Sequence, residues 1–269
     1  MLAIIKGFKQ KMKTFLKFIK HLILQRIMTD IVFIPAKYNK KIIVPDNIIK
    51  KLPNKLMLFS SVQFLHQLPD IEKQLEAKDK KILLVKSKNF LYDGMTSEKG
   101  QLLGCNSENF DAKNLTTHGE DFDAFLYIGD GIFHPQALLV NNRKDIYCYD
   151  PKTNKLNVLK KEMYDDIQKR TRGRTLKFLT SKNIGIIVTT KRGQNNTKRA
   201  ELLKDKILKK WSDKKVFMLI CSELNFLELE NFNFVDIYVN TACSRIGHDD
   251  TIRSPKPIIN ISDVEELLR

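Results

Sequence analysis

Apolar residues in this chain come in short continuous runs, set apart by charged or turn-forming stretches. Asp30–Ile34, Lys55–Ser60, Lys81–Val85 and Phe125–Ile128 each hold three to five apolar residues in a row. Runs of that length predict strands buried on both faces, the habit of parallel sheets covered by helices. A helix is expected from about Leu68–Asp70, where proline suits a first turn, to about residue 78. A loop-rich stretch to about residue 120 separates the strand at Lys81 from that at Phe125.

The same order returns in the second half. Ile184–Val188 predicts a strand, Thr189–Gln194 a loop, Lys198–Trp211 a helix, and Lys215–Ile220 and Asp236–Val239 two further strands. Small details match between the copies. Lys80 and Lys81 precede one strand as Lys214 and Lys215 precede another, and Asp123 with Tyr127 resembles Asp236 with Tyr238. The fold class expected is therefore α/β, a duplicated parallel-sheet unit. A charged helix over about Lys160–Lys177, with Arg170, Arg172 and Arg174, joins the copies. The expected organisation is residues 1–42 as an N-terminal piece, 43–159 as one α/β domain and 160–269 as another.

Residues 1–28 follow a different pattern. Lysines interleave with Ile4, Ile5, Phe8, Met12, Phe15, Ile19 and Ile23 at spacings of three and four, predicting a basic amphipathic helix. It is too evenly charged for the apolar centre of a signal peptide. Three readings fit: a docking helix for a partner, a helix lying on a membrane surface, or translated upstream sequence with Met28 as the start.

Composition narrows the function classes. No run reaches the roughly 18 apolar residues of a membrane span. The chain has four cysteines without CxxC pairing, Cys105, Cys148, Cys221 and Cys243, which points to a reducing, cytoplasmic setting rather than to disulfides. With 47 Lys+Arg against 31 Asp+Glu the formal net charge is +16. That excess suits a polyanionic neighbour such as RNA or the ribosome, or reflects a lysine-rich proteome in general.

Ligands of parallel α/β sheets bind beyond the carboxyl ends of the strands, and four features fall there. They are Cys105 in the loop Gly100–Cys105; Gly129, Asp130 and Gly131 with His134 after a strand; the turn Thr189–Gln194 entering a helix; and Cys243 in Asn240–Arg245 after the last strand. Each has a plain structural alternative. A lone cysteine is usually a small buried hydrophobe, and so Cys148 reads as core, as does Cys221. His134 before Pro135 reads as a turn residue, and Gly-Asp-Gly is a common turn. Two cysteines at strand ends of adjacent repeats, however, would point into one cleft and could hold a metal cluster.

Taken in order, Gly100–Cys105, Tyr127–His134, Thr190–Gln194 and Val239–Ile246 resemble motifs of the diphthamide synthesis family, the 2-(3-amino-3-carboxypropyl)histidine synthases, over about residues 30–269. The resemblance implies three similar α/β domains, each lending one cysteine to a 4Fe–4S cluster. S-adenosylmethionine would bind its open iron and be cleaved to a 3-amino-3-carboxypropyl radical, and that group would be transferred to a histidine of translation elongation factor 2. Cys105 matches the second cluster ligand and Cys243 the third. Gly129, Asp130, Gly131, Lys191, Gly193 and Gln194 are expected to line the S-adenosylmethionine pocket.

The chain departs from that pattern twice. Ser244 stands where the family usually has proline, which is expected to loosen the turn around Cys243. The first domain is reduced to Asp30–Tyr38, read as its final strand, so a separate chain carrying that domain and its cysteine, or a paralogous subunit, is expected as partner. Two alternatives stay open: a non-catalytic scaffold of the same complex, and a basic RNA- or ribosome-binding protein that lost the reaction.

Overall fold

A computed structural model describes residues 36–87, 98–105, 107–110, 121–191 and 193–269. The expected helix of residues 1–28 and the strand Asp30–Ile34 lie outside the described residues.

The run at Lys55 forms β1 (Lys55–Ser60), whose residues after the first are all buried. It lies inside a five-stranded sheet of order β2-β1-β3-β4-β5, with β2 (Lys81–Leu83), β3 (Ala124–Ile128), β4 (Ile146–Asp150) and β5 (Lys155–Leu159). Alternation decides which face each residue serves. Leu56 and Leu58 pack with Leu68, Ile71 and Leu75 on one side, while Met57 and Phe59 pack with Leu138 and Leu139 on the other. With both faces covered, an apolar run is stable where an alternating one would leave polar groups buried. Each such side chain contributes about 1.5–3 kcal/mol on burial.

The second sheet, order β7-β6-β8-β9, comprises β6 (Asn183–Thr189), β7 (Lys215–Cys221), β8 (Ile237–Asn240) and β9 (Ile258–Asn260), all parallel. The helices are α1 (Asp46–Ile49), α2 (Leu68–Glu76), α3 (Phe133–Gln136), α4 (Glu162–Thr180), α5 (Thr197–Lys210) and α6 (Ile261–Leu267). The expected charged connector is α4, and among its residues Arg174 and Phe178 are buried.

The duplication is carried by matching devices. Helices α2 and α5 bury the same stripe, Leu68, Ile71 and Leu75 in one and Ala200, Leu203 and Ile207 in the other, at spacings of three and four. Asp123 Oδ2 accepts from the Lys55 N–H at 2.9 Å, and Asp236 Oδ2 from the Asn183 N–H at 2.8 Å, so an aspartate pins the start of the neighbouring strand in each copy. Lys80 Nζ donates to the Leu52 carbonyl at 2.7 Å; Lys214 Nζ donates to Phe178, Leu179 and Ser181 carbonyls at 3.2, 2.9 and 2.6 Å.

Two expectations need correction. The tyrosines do not correspond: register pairs Leu56 with Ala124 and Ile184 with Ile237, so Tyr238 matches Phe125 rather than Tyr127. The first sheet is also not wholly parallel, since β5 runs antiparallel to β4. A turn closes that hairpin, with the Asp150 carboxylate accepting the Lys152 N–H at 2.8 Å and Asn154 at φ 55°. Asparagine is among the few residues that tolerate that left-handed backbone.

Candidate functional site

Cys243 follows β8 in a turn built by two buried asparagines. Asn240 accepts from the Ala242 N–H at 3.0 Å and donates to the Cys243 carbonyl at 2.8 Å and to Asn260 Oδ1 at 2.8 Å. Asn260 in turn donates to the Ser244 carbonyl at 3.0 Å. Side-chain amides thus replace the backbone bonds that the chain loses on leaving the sheet. The Thr241 hydroxyl donates to the Ile187 carbonyl at 2.8 Å, holding the segment over β6.

Cys105 arrives from the other sheet. Gly100–Leu102 lies beside the end of β1, with Ser60 N–H donating to Gly100 at 2.8 Å and Leu102 N–H to Ser60 at 2.9 Å. Gly104 then passes so close to Phe133 that a β-carbon on it would sit 2.2 Å from the ring, so any other residue there would have to displace that ring. The two cysteine loops meet directly. The Ser244 hydroxyl donates to the Cys105 carbonyl at 3.2 Å. This corrects the expected loosening: the turn is held by its asparagines, and the serine adds a bond from one loop to the other.

Arg245, 5% exposed, lies at this junction. Its guanidinium donates to Gln136 Oε1 at 2.9 Å, pairs with Asp249 at 2.5 Å, and stacks 4.9 Å from the centre of the Phe133 ring. From the linker helix, Arg174 donates to the Gly247 carbonyl, tying α4 to the segment after Cys243. Sequence reasoning passed over Arg174, Gln136, Arg245 and His248. Nothing in their order marks Arg174 and Arg245 as buried or Gln136 and His248 as half-buried, although Arg245 lies within a stretch singled out for its cysteine.

The electrostatics follow from burial. The Cys105 thiol is pushed up chiefly by burial and then by the nearby Cys243, while the Arg245 charge pulls it down. Proximity of the two sulfurs is thus part of the site. All four cysteines are free thiols, with Cys105, Cys221 and Cys243 half-buried. Burial raises Cys148 to about 12, so it stays a protonated core residue as expected. Cys221 is also raised by burial and lies against the Val188 carbonyl at 3.7 Å, at the end of β7. His248 is lowered to about 4 by burial and by Arg174 and Arg245, which keeps its ring neutral.

His134 is not simply a turn residue. It belongs to α3, its Nδ1 is buried without a partner among the described residues, and burial lowers its pKa. Its electrostatic neighbours are Asp130 and Arg245, which places the Gly129–Gly131 turn beside the Cys105 side of the junction. Asp130 itself pairs with Lys152 at 2.7 Å, and Gly131 has φ 67°. The other expected ligand loop, with Lys191, Gly193 at φ 78° and Gln194, is fastened near Cys243 because Asn196 donates to the Thr241 carbonyl at 2.6 Å. At the start of α5 the Thr197 N–H donates to the Asn195 side-chain oxygen at 3.1 Å.

Two half-buried thiols with a neighbouring cation are a donor set suited to iron–sulfur chemistry. Among the described residues, no third His, Cys, Asp or Glu joins them to form a metal-holding group. Nor does any described helix have the length and apolar character to cross a membrane.

Comparison with known proteins bears on this arrangement. A 2-(3-amino-3-carboxypropyl)histidine synthase of Pyrococcus horikoshii is 31% identical over 241 residues, covering 88% of this chain and 65% of that protein. Subunit 1 of the synthase from Yarrowia lipolytica is 34% identical over 169 residues, covering 61% of this chain and 36% of that one. The crystal structure of Dph2 from Pyrococcus horikoshii with a 4Fe–4S cluster superposes with a TM-score of 0.62 at 31% identity, over 82% of this chain and 59% of that one. The chain therefore spans about one third to two thirds of the length of these relatives. Residues 21–269 match the family model for the diphthamide synthesis protein. With that match over nearly its whole length, on a sheet architecture shared with the solved relative, the chain belongs to the diphthamide synthesis protein family.

Proposed function

We propose that this chain forms part of an enzyme that transfers a 3-amino-3-carboxypropyl group from S-adenosylmethionine to a histidine of translation elongation factor 2. Cys105 and Cys243 supply two of the three thiolates of a 4Fe–4S cluster, which when bound provides the open iron and electron needed to cleave the sulfonium. The third thiolate comes from polypeptide outside these 269 residues, which we assign to the family's first α/β domain. The chain's own task is geometric. It brings the two cysteine loops together, keeps Arg245 beside them, and offers the Gly129–Gly131 and Lys191–Gln194 loops as the pocket for S-adenosylmethionine. Glycine backbones allow close approach of a ligand.

What carries this proposal is the meeting of Ser244 and Cys105, 139 positions apart in sequence, through a bond of 3.2 Å. A non-catalytic scaffold of the same complex is the second reading. It is favoured by the lack, among the described residues, of a third ligand group beside the cysteines.

Anaerobic co-expression with the family's first α/β domain separates the two. The proposal expects a brown complex that cleaves S-adenosylmethionine, and a colourless preparation from this chain alone. A brown complex whose iron and turnover are unaffected by losing both Cys105 and Cys243 would make this chain the scaffold. Cleavage by this chain alone would refute the assignment of the third thiolate.

A further inference from the structure

The buried guanidinium of Arg245 is not explained by stability. Removing an arginine from water is costly unless its partners compensate fully. Here they are one neutral amide, Gln136, one exposed carboxylate, Asp249, and the face of Phe133, with the Nε–H buried and, among the described residues, unpartnered. Those partners do, however, come from both sides of the junction. Asp249 belongs to the segment after Cys243, whereas Gln136 and Phe133 lie on α3, and Phe133 fills the space that Gly104 leaves open beside Cys105. Asparagines fix Arg245's own turn to β8 and β9.

We infer that Arg245 is a positioning residue, which clasps α3 and the Cys105 loop to the Cys243 turn and thereby sets the spacing of the two thiols. The chemical purpose of that spacing rests on the proposed cluster ligation, but the clasp itself does not. Gln136 and Ser244 are its secondary members. Arg245 reaches α3, and α3 packs on the Cys105 loop through Phe133 against Gly104, so a charged donor here reinforces the Ser244 bond between the loops.

The test uses the full chain without metal, in a Cys221→Ser background, with the fluorogenic dithiol cross-linker dibromobimane. The parent should form a Cys105–Cys243 cross-link that is lost in Cys105→Ala. Arg245→Met should slow the reaction about tenfold, and Gln136→Ala, a milder change that leaves the guanidinium in place, about threefold, as expected for weakening one or more such bonds. Arg245→Lys should recover only part of the rate, since an ammonium cannot span Gln136 and Asp249 with a planar fork. Native cross-linking in folded Arg245→Met and Gln136→Ala would overturn the inference, as would full recovery with lysine. Failure of the parent to bind iron with its partner would count against the proposed function alone.

Discussion

The two sheets share a scaffold and differ in where they place chemistry. In both, an aspartate pins the start of a strand and a lysine caps the carbonyls that precede it. Counting seven residues from each aspartate gives Asp130 in the first sheet and Cys243 in the second. The position that carries a thiol in one copy therefore carries, in the other, a carboxylate paired with Lys152 at 2.7 Å. Cys105 lies elsewhere, beyond the segment that pairs with Ser60 on the β2 side of β1. The expectation of equivalent strand ends is thus corrected: the cysteines meet because two different loops converge. Duplication preserved the frame and left the loops free to diverge, as is usual for sites built on rigid sheets.

Acid should distinguish the copies most strongly. His248, in the second, has its pKa lowered from 6.5 to about 4. An unfolded histidine takes up its proton near 6.5, whereas the folded one resists until about 4, so stability falls as pH drops through that window, by about 3 kcal/mol. Urea unfolding at pH 7 and pH 4.5 should show this loss in the parent and a much smaller one in His248→Gln. Parallel losses in both would break that distinction.

The capping lysines come next. Lys214, 5% exposed, serves three carbonyls, while Lys80 is half-buried and serves one carbonyl and the Asn54 side chain. Lys214→Met should cost about 2–3 kcal/mol and Lys80→Met about 1 kcal/mol, measured by chemical denaturation, because buried acceptors left unpaired keep their desolvation penalty. The pinning aspartates should follow the same order with a smaller gap. Asp236 accepts two backbone N–H groups and Asp123 one, so alanine should cost about 2 and about 1 kcal/mol respectively. The smallest effect belongs to Cys148→Ala, about 1 kcal/mol of packing lost with cluster content unchanged.

Much of this frame was legible in the sequence because strands buried on both faces leave unbroken apolar runs, as in Leu56–Phe59 and Ile184–Val188. Strand β5 escaped notice because Lys155–Leu159 alternates between exposed and partly buried positions and follows a polar turn. The cysteines could be singled out by type and loop context, and their convergence inferred only in outline. Arg245, Arg174 and His248 could not. A charged or titratable side chain looks solvated in a sequence until the packing that buries it is known, and here that packing joins segments far apart in the chain.

On the proposed function, Cys105 and Cys243 together hold one cluster. Iron and acid-labile sulfide should be measured after anaerobic reconstitution of the parent, Cys105→Ala and Cys243→Ala chains, each supplied with the family's first α/β domain. A full cluster is expected in the parent, with loss of both iron and sulfide in either variant. Iron and sulfide in Cys243→Ala equal to the parent would contradict it.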